Sequence, residues 1–202
     1  MLGKRADQHA SLSLESFFSV FNETWSFVVN SETICRRMIV SLRGTIVSQA
    51  KNFLQTMHQS RISQSAKFVE EEQWAAVEVP SRAQVLTKTI VDAAVRDSPD
   101  LLVSETEPHH SNGSSSTPPS SSKHLYIEER KYFAVSATLK MLEALVDYLR
   151  VITNLSLLTT DAMSRVIEFL KAFNSRTCQV VLGAGAMRSA GLKNITAKHL
   201  GK

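Results

Sequence analysis

Residues Gln179–Leu192, QVVLGAGAMRSAGL, decide between two folds. Read alone, the stretch is an apolar run followed by glycines at which a phosphate could sit. A dinucleotide site needs a strand, a tight glycine turn, a helix N-terminus facing the pyrophosphate, and an acidic residue about twenty positions on. Gly183 and Gly185 supply the first two glycines, but Arg188 stands at the third small position, where it would obstruct strand–helix packing. No acidic residue follows Glu168. Upstream, Met163, Val166, Ile167, Leu170, Phe173, Thr177, Val181 and Leu182 keep helical spacing straight into the glycines. The stretch therefore reads as helix. Gly183, Ala184, Gly185 and Ala186 form a small-residue patch for close approach of a neighbouring helix, at about 1 kcal/mol per glycine relative to alanine. Gly191 then ends the helix in the left-handed conformation, with Leu192 folding back onto Met187.

The same periodicity runs through the rest of the chain. Leu14, Phe17, Phe18, Phe21, Trp25 and Val28 make one amphipathic stripe, and Asn30-Ser31 offers a break and a new N-cap. Beyond it, Ile34, Met38, Leu42, Ile46, Phe53 and Met57 recur mostly at steps of three or four, with no proline before Pro80. A helix over 31–77 would span about 70 Å. A compact chain of this length is about 43 Å across. The expected shape is a rod. Pro80 ends this element, and Ser81–Gln84 has the S-x-x-Q form of a capping box opening a further helix. Phe133, Ala137, Met141, Leu145, Tyr148 and Ile152 mark another, and Thr159-Thr160-Asp161 supplies an N-cap and first-turn carboxylate for the last. No segment alternates with period two. The fold class is all-α, an elongated helical rod or bundle.

Ser111–Ser122, SNGSSSTPPSSS, contains no charged or apolar residue and marks the boundary. Such a segment buries nothing to offset its ordering entropy, so 97–124 reads as a disordered linker. It separates an N-terminal helical segment, 1–96, from a C-terminal one, 125–202. His109 and His110 lie in it, and two adjacent histidines without other ligands make a poor metal site. The net charge is +4, which by itself does not imply nucleic acid. Cys35 and Cys178 form no CxxC pair, so neither a disulfide framework nor a zinc site is suggested. No apolar run reaches the roughly 18 residues of a membrane span.

FLKAFNSRTCQVVLGAGAMRSAGLKNITAKHL, Phe169–Leu200, resembles the signature of the vacuolar-protein-sorting 54 family. Glu72-Gln73-Trp74 with Glu78-Val79-Pro80 is similar to the family's Trp…Val-Pro element, and Tyr132-Phe133-Ala134-Val135 to its re-entry into helix. The resemblance is dense over Phe169–Leu200 and looser over 53–171. It implies an all-helical subunit of the Golgi-associated retrograde protein (GARP) tethering complex. Such a subunit works with the other tether subunits and SNARE proteins on the cytosolic face of the trans-Golgi network and endosomes. It implies no catalytic residue, cofactor, metal, nucleic acid or small-molecule substrate. Family members continue past the Lys-x-Leu element and carry a long N-terminal coiled coil, so the chain is expected to be a truncated, middle-to-C-terminal piece.

Several residues carry specific expectations. Trp74, beside Val79 and Pro80, is expected to seal the end of the long helix against the next. Glu70-Glu71-Glu72 reads as a solvated face. Arg176, Arg188, Lys193 and Lys198 form a candidate basic surface for anionic lipid or an acidic partner, within a tail of six Lys or Arg and no acid from Phe169 onward. His58 and Cys178 are expected to be packing residues. Ser175 and Cys178 have no His or acid at a spacing that suggests a nucleophilic array. Leu192, Ile195 and Leu200 are expected to form an exposed apolar patch. Three functions follow: a non-enzymatic helical scaffold of a vesicle tether, an oxidoreductase fragment using Gly183–Gly185, or a peripheral membrane binder driven by the basic tail.

Overall fold

The computed structural model describes residues 5–95, 101–102 and 121–183. Six α-helices follow in order: α1 (Ala6–Ala10), α2 (Leu14–Cys35), α3 (Val40–Glu70), α4 (Ser81–Val95), α5 (Ser136–Asn154) and α6 (Thr159–Leu182). One antiparallel hairpin, β1 (Leu125–Ile127) and β2 (Arg130–Tyr132), pairs Leu125 with Tyr132 and Ile127 with Arg130. The fold class is all-α, with this hairpin and two isolated bridges beside it as its β structure among the described residues.

The stripe beginning at Leu14 forms α2, which Ser13 caps by accepting the Ser16 N–H at 3.3 Å. Asn30 and Ser31 do not break it; they lie inside α2. The break comes at Arg36, whose φ of 51° is left-handed, and the chain reverses over four residues into α3. Glu32 closes the reversal by accepting the Ile39 N–H at 2.8 Å and ion-pairing with Arg43 at 2.5 Å. The expected single helix over 31–77 is thus a helical hairpin whose second arm, α3, has 31 residues and spans about 46 Å. It stops at Glu70, ten residues before Pro80. Three consecutive glutamates at a helix C-terminus oppose the macrodipole. Val77 and Val79 then take extended backbone and pair with Ala134 and Ser122.

One core unites both halves of the sequence. Phe17, Phe18 and Phe53 pack in a cluster with Tyr148, Leu158 and Phe169, and the Phe17 and Phe53 rings stack at 3.9 Å. A smaller cluster joins Val79, Ala83, Leu125 and Ala134. Within the expected linker 97–124, described positions make contacts. Leu101 is buried, with its carbonyl accepting from Asn154 Nδ2 at 2.7 Å, and Ser122 is backbone-paired to Val79. The serine-rich stretch up to Ser120, with His109 and His110, lies outside the described residues.

Two helix starts differ from expectation. Gln84 does not close a capping box; it accepts the Tyr126 N–H at 2.9 Å and donates to the Tyr126 carbonyl at 2.6 Å, tying α4 to the hairpin. α6 has Leu158 at its N-cap with no side-chain cap, because a 3₁₀ turn over Ser156–Leu158 already leads into it. Asp161 does lie in its first turn and pairs with Lys51 at 3.3 Å.

Candidate functional site

Gln179–Leu182 is α-helical, the end of α6, and not a strand. The oxidoreductase reading loses the element that would aim a glycine turn at a phosphate. α6 does not run on through Gly183, however. Gly183 is the C-cap, with extended backbone (φ −84°, ψ −178°), and its N–H still reaches the Gln179 carbonyl at 2.9 Å. A Cβ there would collide with that same oxygen, which is why glycine stands where the helix ends. Ala184, Gly185, Ala186, Arg188, Gly191, Leu192, Lys193, Ile195, Lys198 and Leu200 lie outside the described residues.

α6 is tied to α3 and α5 by a polar group that runs from the core to the surface. His58 on α3 is buried, with Nδ1 2.7 Å from the Tyr148 hydroxyl on α5 and Nε2 3.1 Å from Glu168 on α6. The neutral tautomer with the proton on Nε2 satisfies every partner: Nε2–H donates to the carboxylate and Nδ1 accepts from the phenol. Burial, aided by the Arg165 charge, pushes the His58 pKa down, which favours that neutral form. Burial likewise raises Tyr148, keeping its hydroxyl a donor. Arg165, 2.7 Å from Glu168, holds that carboxyl below its ordinary range, with a smaller contribution from His58. The group joins three helices through fully matched bonds, a structural arrangement with no free nucleophile. Spacing places His58 inside, as expected, but Tyr148 lies 90 residues away and no local signal links them.

The outer face of α6 is different. Met163, Ile167 and Leu170 stand at i, i+4 and i+7 and are all exposed, as is Leu182. Only Ala162, Val166 and Phe169 of this helix are buried. Of the stripe read from the sequence, Val166 is thus in the core, Phe173, Thr177 and Val181 are half-buried, and the other four residues face outward. Cys178 also lies on the exposed side and is not a packing residue. Ion pairs border this face: Lys51–Asp161 near its start and Arg176–Glu70 near its end.

Arg176, expected to join a basic surface, is thus committed to Glu70 at the end of α3. The acidic run is not a uniformly solvated face either. Glu72 accepts the Ala137 N–H at 2.5 Å and caps the start of α5, leaving Glu71 exposed. Trp74 lies partly buried in the extended 71–80 connection with a left-handed φ of 57°, so it does not sit on the end of a helix running to Val77. Pro80 is exposed, and its carbonyl accepts the Ala83 and Gln84 N–H groups at the start of α4. A cleft of about 530 Å³ between α3, α4 and α5 is lined by Arg61, Arg82, Lys140 and Asp147 among others. Its central charges pair internally, Arg61 with Asp147 at 2.6 Å. Among the described residues, no three His, Cys, Asp or Glu side chains gather as a metal site, and no helix is long and apolar enough to cross a membrane.

A family model described as Vps54-like protein matches residues 129–201. Vacuolar protein sorting-associated protein 54 of Mus musculus is 31% identical over 191 residues, covering 94% of this chain and 18% of that protein. Its counterpart in Homo sapiens is 32% identical, covering 87% of this chain and 17% of that protein. The chloroplastic form in Arabidopsis thaliana is 28% identical, covering 99% of this chain and 25% of that protein. The chain spans about a fifth of the length of the curated relatives it matches. No solved structure matches it.

Proposed function

The chain belongs to the Vps54 family, and on that premise we propose that it is a non-enzymatic helical segment of a vesicle-tethering subunit. Its route is retrograde, from endosomes to the trans-Golgi network, on the cytosolic face of those membranes. The outer row of α6 supports this reading: Met163, Ile167 and Leu170 present a helix-spaced apolar strip on a helix whose other side is fixed in the core. Helix-on-helix packing needs such a strip. Helices of the other tether subunits occupy it, and SNARE proteins are captured by the assembled complex. The mechanism is geometric. Stiff elements such as α3 hold docking faces at fixed separations, and no bond is made or broken.

The test is co-purification of the tagged full chain from cells, followed by the triple variant Met163→Ser, Ile167→Ser, Leu170→Ser. The three positions are already exposed, so helix content and unfolding midpoint should change little. Recovery of the other tether subunits should fall at least tenfold. Undiminished recovery by the variant, or no recovery by the unaltered chain, overturns the reading.

A further inference from the structure

We propose that the turn joining α2 to α3 is a membrane-insertion tip that seats in an anionic lipid surface. Ile34, Met38 and Val40 are 82%, 66% and 71% exposed, the apolar extreme of the described surface together with Val95 and Phe133. Between them stand Arg36 and Arg37, both exposed, with no hydrogen bond or ion pair among the described residues. From Thr24 to Ala50 the charged residues are Glu32, Arg36, Arg37 and Arg43, a net +2. Glu32 and Arg43 neutralise each other, so the unpaired charge at the tip is entirely cationic.

The tip is held rigid from behind. Glu32 accepts the Ile39 N–H at 2.8 Å and two bonds from Arg43, whose guanidinium lies 5.0 Å from the Trp25 ring centroid. Arg36 occupies the left-handed position where a helix end usually carries glycine. A cation therefore stands where backbone geometry alone would favour no side chain. The turn also stands at the far end of the hairpin. Among the described residues, the His9–Gln49 bond and the Lys51–Asp161 pair are the nearest side-chain bonds from α3 to elements beyond the hairpin. They lie about nine residues, or 13 Å, along α3 from the turn.

Protruding aliphatic side chains with guanidiniums between them match the layering of a bilayer surface. The apolar groups reach the acyl boundary while the cations stay at phosphate level. A protein partner would need a pocket shaped to receive a convex end. The lipid reading requires no other subunit and stands apart from the tethering assignment.

Cys35 lies in the tip and makes the test direct. The full chain carrying Cys178→Ser is labelled at Cys35 with a polarity-sensitive fluorophore. It is then mixed with phosphatidylcholine vesicles containing or lacking phosphatidylserine. Binding with a blue shift is expected only on the anionic vesicles, weakening as salt rises. Arg36→Gly and Arg37→Gln should each weaken the apparent affinity roughly fivefold. Ile34→Ser with Met38→Ser should abolish the blue shift. Arg36→Gly relieves the left-handed backbone and should hold or raise the unfolding midpoint, which separates lost lipid contact from lost fold. The proposal is overturned by absence of vesicle binding, by binding indifferent to these substitutions, or by binding that leaves the fluorophore in water. A blue shift elicited by an acidic protein and not by vesicles overturns it as well.

Discussion

His58 is the residue whose chemistry is most constrained by its surroundings. Its folded pKa is depressed, so the unfolded chain binds the proton more tightly. The contribution is fully present above the unfolded value near 6.5 and is lost as pH falls through the folded pKa. Glu168, also depressed, acts in the same sense at lower pH. Urea unfolding midpoints should therefore fall between pH 7 and pH 5, and His58→Gln should flatten that interval while leaving the decline below it. Tyr148→Phe leaves His58 Nδ1 without its donor in the core and should cost about 1–3 kcal/mol, read from the same denaturation curves. Phe18, fully buried between the first helices, should cost about 3–5 kcal/mol on truncation to alanine. Gly183 is constrained by sterics: Gly183→Ala must displace the last turn of α6, and faster amide exchange at residue 183 would register it.

The helices were legible where the apolar pattern was long and locally periodic. The Phe17–Val28 stripe became α2, and the run from Met163 to Leu182 became helix and not strand. What spacing could not show was where a helix stops for reasons outside itself. The reversal at Arg36 depends on Glu32 capturing a backbone N–H seven residues on, inside a sequence with no glycine or proline to announce it. The end of α3 depends on Val77 and Val79 finding partners more than forty residues later. Gln84 has the right position for a capping box, yet the Tyr126 backbone offers it both a donor and an acceptor, and that pairing wins. Gln84→Ala should therefore loosen the hairpin more than the helix. We expect faster exchange at the Tyr126 amide, with a loss of about 1–2 kcal/mol at most for two exposed bonds. For the candidate site, periodicity found the α6 stripe but not that most of it stays uncovered. Which residues are covered is decided by α3 and α5, and no pattern within α6 records that.

In the molecule as a whole, α3 is the element around which the others arrange. α1, α2, α5 and α6 all pack against it, and its polar contacts run in step with α6, from Lys51–Asp161 through His58–Glu168 to Glu70–Arg176. The largest apolar cluster takes Phe17, Phe18 and Phe53 from before residue 103 and Tyr148, Leu158 and Phe169 from after residue 120. Both halves contribute buried aromatic side chains to this one cluster. A protease nick anywhere in 103–120 should consequently yield two peptides that migrate together on a native gel and part only in denaturant. Expressed from separate genes, the same two pieces should complement one another, and mixing them would turn this fold into a reporter of whether two other proteins meet.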